Sequence, residues 1–487
     1  MIPTNHEWQT YRNLVGGQWT NASSGELLEI KNPATGETVG FSQKSTVVDV
    51  EQAIDSAHRT FHSSQWGFNP KQRYEALLGL AKKMEERQEQ IARVLTLENG
   101  KPIREARFEV ASSIDTLKYY AGMARNVFGR SMTLEPNNFG IIAKEPIGVV
   151  GIISPWNWPV LLMIRELAPA LAAGCAVIVK PASLTPLSSV EIFKCIAQVP
   201  EFEPGIVSIV TGPGAQIGSA LAGSDKIDMI SFTGDTSTGR TIMQLAASNI
   251  KKLALELGGK SPNIVFSDAN LEKAIPFIGR SIFISAGQIC MAGSRVLVEE
   301  SIKEEVVGRL KEYAEKLVVG NGIREETDMG PVISGSQLSI VQEYSNLAKE
   351  QGEIITGGYR LIGGEYEKGY YFAPTIVEGL SQDCRVVQEE IFGPILTVQS
   401  FRDEEEAIAL ANGTKFGLTA GIWTNQVQRV QRFMRSIKAG TIWVNTYNRN
   451  FPEAEFGGFK QSGLGRTRGI EGLLEYTETK HIHFESE

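Results

Sequence analysis

A cysteine and a glutamate, each placed among small residues, are the side chains in this sequence best suited to covalent chemistry. Cys290 lies in the segment Gly287-Gln-Ile-Cys-Met-Ala-Gly-Ser-Arg295, and Glu256 lies 34 residues earlier in Leu255-Glu-Leu-Gly-Gly259. Small and amide residues leave room around a thiol, and a separate carboxylate can serve as a base. A thiolate is normally activated by a histidine, a cation, a helix N-terminus or a bound cofactor. The pattern predicts a thiol nucleophile with a separate carboxylate base.

The histidines bear on how that thiol would be activated. All five lie near the ends of the chain, at His6, His58, His62, His481 and His483. Residues 63 to 480 contain no imidazole, so a cysteine–histidine hydrolase would need a histidine from a terminus. This disfavours a cofactor-independent cysteine hydrolase, which we keep as the alternative class of enzyme.

Length and charge set the broad class of protein. A chain of 487 residues exceeds what one hydrophobic core usually holds, so two or three domains are expected. A net charge of −8 gives no support for a nucleic-acid-binding surface. The segment Met1–Trp8 has no basic stretch followed by an apolar one, and apolar runs such as Ile147–Ile153 are too short to span a bilayer. We therefore expect a cytoplasmic protein that binds neither nucleic acid nor membrane.

The cysteines lack the spacing of a metal site or of a disulfide framework. They stand at positions 175, 195, 290 and 384. We expect reduced thiols and no bound metal. Cys175 and Cys195 lie in apolar runs and are expected to be core residues.

The pattern of apolar residues divides the chain into a helical first third and two regions of alternating strands and helices. Helical spacing predicts helices over 48–61, 70–97 and 105–124. Buried strands are predicted at 147–153, 176–180, 206–211 and 228–233, and a second alternating region runs from 261 to about 445. This alternation predicts parallel sheets covered on both faces, hence an α/β fold. Residues 132–145 and 477–484 are predicted to be extended.

Three turns at strand ends have residues suited to holding phosphate. Residues 212–218, Gly-Pro-Gly-Ala-Gln-Ile-Gly, follow a strand and open a helix, with one residue more than the common dinucleotide fingerprint. Residues 232–239 repeat the arrangement one unit later, and Lys180 ends an earlier strand. Free N–H groups at a helix start favour an anion, although Asp235 or Thr236 could simply cap its helix. Together the turns predict a dinucleotide site.

Eight segments, in order, resemble those of the NAD(P)-dependent aldehyde dehydrogenase superfamily. They are Ser154-Pro-Trp-Asn-Trp-Pro159, Lys180-Pro181, Phe232-Thr-Gly234, Leu255-Glu-Leu-Gly-Gly259, Gly287-Gln-Ile-Cys290, Glu389-Glu-Ile-Phe-Gly-Pro394, Asn412 with Phe416-Gly-Leu418, and Phe456-Gly-Gly-Phe-Lys-Gln-Ser-Gly463. The resemblance covers nearly the whole chain. It implies a Rossmann-type cofactor domain, an α/β catalytic domain and a small β oligomerisation arm.

The resemblance also implies domain limits. Residues 1–127 and 146–256 would form the dinucleotide-binding domain, residues 257–445 the catalytic domain with Cys290, and residues 128–145 and 468–487 the arm. Arms of this kind pair between subunits and bury sheet edges that would otherwise be exposed. A homodimer or homotetramer is therefore expected.

The resemblance assigns a role to each catalytic residue. Cys290 would attack a small-molecule aldehyde, and the Asn157 amide with the Cys290 N–H would hold the oxyanion. Hydride transfer to the nicotinamide would leave a thioester, and Glu256 would activate the water that hydrolyses it. Enzymes that pass the acyl group to coenzyme A generally lack the Glu256-type base, so its presence favours water as the acceptor.

The cofactor, NADP or NAD, would occupy a larger set of positions. The predicted residues are Ser154, Trp156, Lys180, Ser183, Gly214, Gly218, Phe232, Gly234, Asp235, Leu257, Glu390 and Phe392. Many NAD-preferring members have glutamate at the position of Ser183, where it binds the ribose 2′-hydroxyl and repels a 2′-phosphate. Serine removes the repulsion and can donate to phosphate, so NADP is expected to be used at least comparably with NAD. Asp235 stands where the family usually has serine, and it would weaken phosphate binding unless it points away as a helix cap.

Substrate choice rests on fewer residues. Arg165 lies two turns beyond Asn157 on a predicted helix, where members that act on succinic semialdehyde place an arginine for the distal carboxylate. Some aromatic-aldehyde members also carry this arginine, and a structural ion pair, for example with Glu453 or Glu455, is the alternative. Arginine disfavours a cationic substrate such as betaine aldehyde. Even so, Trp158 and the 445–456 loop ending at Phe456 resemble that subfamily, so carboxylate semialdehydes and aromatic, neutral aliphatic or betaine-type aldehydes all stay open.

Overall fold

The computed structural model describes residues 9–486. The segment Met1–Trp8, on which the expectation about targeting rests, lies outside the described residues, and so does Glu487. Across residues 9–486, no helix is both long and apolar enough to cross a membrane. All four cysteines are free thiols.

The strands are short and are spread along the chain. They are β1 (Asn13–Val15), β2 (Gln18–Thr20), β3 (Leu27–Lys31), β4 (Thr38–Gln43), β5 (Arg130–Glu135), β6 (Asn138–Pro146), β7 (Val149–Ile153), β8 (Ala176–Lys180), β9 (Val207–Ile209), β10 (Met229–Thr233), β11 (Lys252–Glu256), β12 (Pro262–Val265), β13 (Arg295–Glu299), β14 (Glu353–Thr356), β15 (Thr375–Glu378), β16 (Ile395–Phe401), β17 (Phe416–Gly417), β18 (Thr419–Trp423), β19 (Thr441–Val444), β20 (Phe459–Lys460), β21 (Gly463–Leu464) and β22 (Thr477–Glu485).

The helices connect and cover these strands. They are α1 (Val47–Ser63), α2 (Pro70–Glu86), α3 (Gln88–Asn99), α4 (Ile103–Ala124), α5 (Pro159–Ala173), α6 (Pro186–Ile196), α7 (Gly214–Gly223), α8 (Thr236–Ala246), α9 (Leu271–Phe283), α10 (Lys303–Glu315), α11 (Gly335–Gln351), α12 (Arg385–Gln388), α13 (Glu404–Asn412), α14 (Val427–Ser436) and α15 (Gly469–Leu474). One of four short 3₁₀ turns, Ile284–Gly287, immediately precedes the Cys290 segment.

The first large sheet has eight strands in the order β2-β1-β9-β8-β7-β10-β11-β21. Its five central strands, from β9 to β11, run parallel, and antiparallel strands close both edges. Helices α1 and α7 pack together against it, and α5 covers it with α4 and α6 outside. Burial on both faces explains why the central strands are continuously apolar in sequence. The alternating pattern therefore predicted this sheet correctly.

The second large sheet has seven strands in the order β14-β15-β16-β13-β12-β18-β19. All its pairings are parallel except β14 with β15. The chain passes from the first sheet to the second between β11 and β12, which is where the predicted limit at residue 256 falls. Two sheets of this kind, each covered by helices, give the expected α/β fold.

A three-stranded sheet, in the order β22-β6-β5, stands apart from both. The strand predicted at 477–484 pairs antiparallel with β6 over nine residues, from Thr477 opposite Pro146 to Glu485 opposite Asn138. The predicted extended segment 132–145 is a hairpin of β5 and β6. Within the predicted arm, the first residues after 468 form helix α15, which packs on α5.

One predicted helix was wrong in its extent. Residues 70–97 form two helices, α2 and α3, which meet at Arg87 with φ −119° and ψ 13°. Arg87 ends one helix and begins the next while its guanidinium pairs with the buried carboxylate of Glu191 on α6. That partner lies 104 residues away, so the local pattern of apolar residues could not indicate the break.

Candidate active site

A cavity of about 750 Å³ opens at the carboxyl ends of the parallel strands β7, β8, β10 and β11. Ligands of open α/β sheets bind at this edge. All residues predicted for catalysis and cofactor binding line the cavity: Ser154, Trp156, Asn157, Lys180, Ser183, Gly214, Gly218, Phe232, Gly234, Asp235, Glu256, Leu257, Cys290, Glu390 and Phe392. The three residues predicted for substrate, Arg165, Trp158 and Phe456, are not among its lining residues.

A left-handed stretch of backbone, residues 285–287, leads into Cys290. Ser285 has φ 49° and Ala286 has φ 54°, and a residue with a Cβ pays about 1–2 kcal/mol for this conformation. Buried Glu105 on α4 holds Ser285 there, since its carboxylate accepts from the hydroxyl at 2.6 Å and from the backbone N–H at 3.3 Å. Helix α4 therefore helps to set the position of Cys290.

Gly287 and Gln288 complete the support of Cys290. Gly287 has φ 74°, and a Cβ there would lie 2.1 Å from the carbonyl oxygen of Gly393, so a larger residue would displace the segment. The Gln288 amide donates to the Ser285 carbonyl at 2.9 Å and accepts from the Ile333 N–H at 2.8 Å. These contacts hold the backbone on the N-terminal side of Cys290.

Asn157, at the turn between β7 and α5, faces the same part of the cavity. Its Nδ2 donates to the Gln288 carbonyl oxygen at 2.9 Å, which uses one of its two amide hydrogens. Its own backbone carbonyl accepts from Lys101 Nζ at 2.7 Å. Asn99 Nδ2 donates to the preceding carbonyl, that of Trp156, at 2.8 Å. The Asn157 side chain and the backbone on either side of it are thus held in place, and one hydrogen of the side-chain amide is left for a ligand.

Lys101 and Glu109 support this turn and were missed in the sequence. Lys101 is buried, pairs with Glu109 at 2.6 Å, and lies 4.0 Å from the centre of the Trp158 ring. Glu109 accepts from the N–H groups of Val160 and Leu161 at 2.9 and 3.1 Å, capping α5. The available signal was a lysine in the short turn between α3 and α4 and a glutamate on α4, but the groups of the Asn157 turn that they contact lie more than 50 residues away.

Glu256 ends strand β11 and is almost fully buried, with 4% of its surface exposed. Within the described chain its Oε1 has no hydrogen-bond partner. Burial raises the pKa of Glu256 to about 8, and the charge of Arg165 opposes that rise. A carboxyl group with this pKa is poised to exchange a proton near neutral pH.

The Cys290 thiol is partly exposed to the cavity but closely surrounded by protein. Burial raises its pKa to about 12, opposed by the charge of Arg165, while Glu390 and Glu256 raise it further. The thiol is therefore protonated at neutral pH in this state of the protein. Its backbone N–H has no acceptor within residues 9–486, which leaves it available to a ligand.

Arg165 lies on α5 behind the cavity, with 2% of its surface exposed. Its Nε donates to Glu166 at 2.7 Å and its Nη2 to the Thr233 hydroxyl at 2.9 Å. Glu166 also accepts from the Tyr476 hydroxyl at 2.8 Å. The ion pair considered from the sequence therefore exists, but its partner is Glu166 instead of Glu453 or Glu455. Sequence spacing could not show that the adjacent residue turns toward the same guanidinium.

Trp158, which follows Asn157, and the 445–456 loop border the site without lining the cavity. Phe108 packs edge-to-face on Trp158 at 6.3 Å, and both Trp158 and Phe456 are buried. The loop contacts Met291, the residue after Cys290: Tyr447 donates to its carbonyl at 3.1 Å and Asn450 to its sulfur at 3.5 Å. The assignment of Trp158 and Phe456 to the substrate stays a prediction, and Phe108 was not named from the sequence.

The opposite wall of the cavity has the features of a dinucleotide site. A Cβ at Gly214 or Gly218 would meet nothing closer than 3.7 Å, so both glycines face open space beside Lys180. Lys180 is buried, its Nζ donates to the Pro181 carbonyl at 2.8 Å, and burial lowers its pKa to about 8. Ser183 lies on the same wall. A long cavity with glycine turns and a buried lysine fits NAD or NADP.

Asp235 is the N-cap of helix α8. Its Oδ1 accepts from the N–H groups of Ser237 and Thr238 at 2.9 and 3.0 Å, and both side-chain hydroxyls donate to its carboxylate at 2.5 Å. Partial burial would raise the pKa of Asp235, but these hydrogen bonds together lower it. The cap considered from the sequence is therefore present, and the carboxylate still lines the cavity.

Glu390 and Phe392, which lie between α12 and β16 of the seven-stranded sheet, also line the cavity. Glu390 Oε1 accepts from the Gly259 N–H at 3.1 Å, and burial raises the pKa of Glu390 to about 7. Phe392 has φ 58° and packs edge-to-face on Trp156 at 5.2 Å. Gln337, missed in the sequence, donates to the Phe392 carbonyl at 2.9 Å and so holds that strained residue.

None of the histidines in the described chain lines the cavity. His58 and His62 lie on α1, and His481 and His483 lie on β22. His6 lies outside the described residues. Within residues 9–486, the cavity therefore has carboxylates and a lysine as its titratable groups beside the thiol.

Comparison with known proteins places these features in a family. A model of the aldehyde dehydrogenase family matches residues 19–482. The betaine aldehyde dehydrogenase of Bacillus subtilis (strain 168) is 39% identical over 475 residues, 96% of each chain. An aldehyde dehydrogenase of Emericella nidulans is 39% identical over 472 residues, 97% of this chain and 94% of that one. The betaine aldehyde dehydrogenase of Staphylococcus aureus, solved with NAD⁺, superposes with a TM-score of 0.96 at 37% identity, covering 98% of this chain and 94% of that one. The chain belongs to the aldehyde dehydrogenase family, whose members use NAD or NADP.

Proposed function

We propose that this protein oxidises an aldehyde to its carboxylic acid with NAD or NADP, through a thioester on Cys290. The observation that carries the proposal is the meeting of three groups in one cavity: the Cys290 thiol, the anchored Asn157 amide and the buried Glu256 carboxyl. The far wall of that cavity suits a dinucleotide. A cofactor-independent cysteine hydrolase would leave this wall without a role.

In the proposed first step, the partly exposed Cys290 thiol passes its proton to solvent water in the open cavity, and its sulfur attacks the carbonyl carbon. A carbon–sulfur bond forms while the π electrons move to the carbonyl oxygen. The free hydrogen of Asn157 Nδ2 and the Cys290 N–H would then bind that oxyanion, and one such donor is typically worth about 3–4 kcal/mol. Bound NAD or NADP supplies the acceptor for the hydride of the former aldehyde carbon. A thioester on Cys290 remains.

In the second step, Glu256 removes a proton from water, and the resulting hydroxide attacks the thioester carbon. The carbon–sulfur bond breaks, the acid leaves, and the Cys290 thiolate takes the proton that Glu256 removed from water. Only ionised Glu256 can act as this base, and its pKa is about 8. Hydrolysis should therefore accelerate as the pH rises toward and through 8. The presence of this base favours water over coenzyme A as the acyl acceptor.

For the substrate, we propose a neutral aromatic or aliphatic aldehyde in place of a carboxylate semialdehyde. The expectation of a semialdehyde rested mainly on Arg165. Its guanidinium is buried and already donates to Glu166 and Thr233, so a substrate carboxylate would have to displace a buried ion pair. A neutral aldehyde requires no such displacement.

A betaine-type aldehyde is the second candidate. The betaine aldehyde dehydrogenases of Bacillus subtilis and Staphylococcus aureus are 39% and 37% identical to this chain. The exposed carboxylates of Glu453 and Glu455 in the 445–456 loop raise the pKa of Tyr119 on α4 after burial does, so they lie close to that helix. Acids at this position would attract a quaternary ammonium group.

We also propose that NADP is used at least comparably with NAD. Ser183 lines the cavity near Lys180 and brings no negative charge against a 2′-phosphate. A hydroxyl can donate to a phosphate oxygen. The cofactor preference is therefore expected to depend on this single position.

The decisive experiment measures reduced-cofactor formation from butanal, benzaldehyde, betaine aldehyde and succinic semialdehyde, each with NAD and with NADP. We expect the neutral aldehydes to react faster than the semialdehyde. Cys290→Ser should abolish the reaction, and Glu256→Gln should give one rapid turnover followed by slow release of acid. Reduced cofactor from no aldehyde would refute the dehydrogenase. A preference for succinic semialdehyde that is lost in Arg165→Met would restore the carboxylate anchor.

We further propose that the β5–β6–β22 arm pairs subunits into a dimer or tetramer. Large apolar side chains are exposed on it, at Leu134, Phe139, Ile141, Ile482 and Phe484. Such an exposed, apolar sheet marks an association surface. Size-exclusion chromatography with light scattering tests this proposal, and a monomer at micromolar concentration would contradict it.

A further inference from the structure

Asp235 brings a negative charge into the wall that the cofactor would occupy. It follows Gly234 at the end of β10 and lines the cavity on the same side as Lys180. Its carboxylate is close enough to Glu390 to raise the pKa of that residue, after burial and the Gly259 and Lys260 contributions. The cavity thus carries a negative charge at the N-terminus of α8, the kind of position where a dinucleotide places its phosphates.

The same carboxylate also occupies the donors that a phosphate would use. The first free N–H groups of a helix are its anion-binding groups. In α8 the N–H groups of Ser237 and Thr238 both point to Asp235, and both hydroxyls are turned to it as well. These hydrogen bonds hold the carboxylate in place, so it cannot swing away from an arriving anion without losing its cap.

We propose that Asp235 sets the affinity of this protein for its dinucleotide, keeping it low by repelling the phosphates and by holding the N-terminus of α8. The proposal rests on the proposed use of NAD or NADP at this cavity. Its functional consequence is fast exchange of the cofactor, because a weaker complex dissociates faster at a similar association rate.

Asparagine at position 235 would remove the negative charge and keep the cap of helix α8. In Asp235→Asn the remaining carbonyl oxygen can still accept from the Ser237 and Thr238 N–H groups, and the amide can donate to the Thr238 hydroxyl. Asp235→Ser is a second variant that caps helices well and also lacks the charge. Asp225→Asn is the matched control, since it removes one exposed charge from the turn before β10 without touching the cavity.

The experiment measures binding of adenosine, ADP-ribose and NADH to the full-length protein by isothermal titration calorimetry, at low and high salt. In Asp235→Asn we expect ADP-ribose and NADH to bind about tenfold more tightly at low salt, which is about 1.4 kcal/mol, and the gain to shrink at high salt. Adenosine carries no phosphate and should bind equally to both proteins. Asp225→Asn should behave like the wild type, and Asp235→Ser should match Asp235→Asn.

Three results would overturn the proposal while leaving the enzyme intact. They are equal or weaker NADH binding in both Asp235 variants, a gain that salt does not change, and an equal gain for adenosine. If NADH fails to bind the wild-type protein at all, the proposed use of the cofactor fails first. Thermal unfolding of each variant shows whether the cap of α8 has been kept.

Discussion

The buried charges behind the cavity lead to a prediction about Glu256. Arg165 donates to the hydroxyl of Thr233, and Thr233 is the register partner of Glu256 on the neighbouring parallel strand. Replacing Arg165 by methionine keeps a side chain of similar length but removes the positive charge near the Glu256 carboxyl group. We expect the pKa of Glu256 to rise above its present value of about 8, so that the base becomes available only at higher pH.

The size of the effect follows from the geometry. Neighbouring strands lie about 4.8 Å apart, and the guanidinium donates to Thr233 at 2.9 Å, so we use roughly 7 Å as the working separation between the guanidinium and the Glu256 carboxyl. At that distance and an effective dielectric constant of about 20, two unit charges interact by about 2 kcal/mol. This corresponds to an increase in the Glu256 pKa from about 8 to between about 9 and 10. Glu166 has the opposite charge effect on Glu256, so Glu166→Gln should lower the pKa.

The assay uses an activated ester such as p-nitrophenyl acetate, which can acylate Cys290 without any cofactor. The initial burst of nitrophenol reports acylation, and the steady phase reports hydrolysis of the thioester. We expect the pH midpoint of the steady phase to rise in Arg165→Met, to fall in Glu166→Gln, and to change less in the double variant. Arg402→Met, which breaks an exposed pair with Glu406, should leave the midpoint unchanged.

Two outcomes would refute this reasoning. One is an unchanged midpoint in Arg165→Met, and the other is a shift in the same direction in both single variants. Removing one partner of a buried ion pair typically costs about 3–5 kcal/mol, so each single variant should also melt at a lower temperature. The double variant, Arg165→Met with Glu166→Gln, leaves no unpaired charge at these two positions. It can therefore still be assayed if one of the single variants does not fold.

Three further substitutions test other parts of the site. Ser183→Glu should lower kcat/KM with NADP relative to NAD by tenfold or more, because it adds a charge against the 2′-phosphate; an unchanged ratio would refute the assignment. Lys101→Met removes the hydrogen bond to the Asn157 carbonyl and should lower kcat about tenfold or more, with little change in the calorimetric dissociation constant for NADH. Gly287→Ala would place a Cβ 2.1 Å from the Gly393 carbonyl oxygen; it should abolish acylation by the ester while NADH still binds, and retained acylation would contradict the assigned role of the turn.

The parallel sheets were predictable because their strands are buried on both faces. Continuous apolar runs such as Ala176–Lys180 mark these strands directly, and that strand has the predicted limits. The antiparallel strands at the edges of the first sheet were not predictable in the same way. The antiparallel partners β1 and β21 are short and come from distant parts of the chain, so nothing local distinguishes them from loops. The break at Arg87 depends on a partner on another helix and was missed for the same reason.

The reactive groups of the site were predictable from short motifs, whereas their supports were not. Cys290 and Glu256 lie among glycines that are visible in the sequence. Lys101, by contrast, acts on the Asn157 turn from 56 residues away. Arg165 is a second example. Its position on a helix was predicted, but the direction of its side chain depends on Glu166, which the sequence pattern could not show. Side-chain direction follows from packing, which no single segment contains.

Under the proposed function, substrate choice depends on groups other than Arg165. The wall next to Cys290 is held through Met291, whose carbonyl and sulfur both contact the 445–456 loop. Asn445 and Asn448 in that loop have φ 51° and 55°, a conformation that asparagine tolerates better than most residues. The shape of this wall is therefore set by the backbone of the loop, which does not support Glu256 or the left-handed turn before Cys290. An aldehyde can in this way be selected by its tail without any change to the groups that act on its carbonyl.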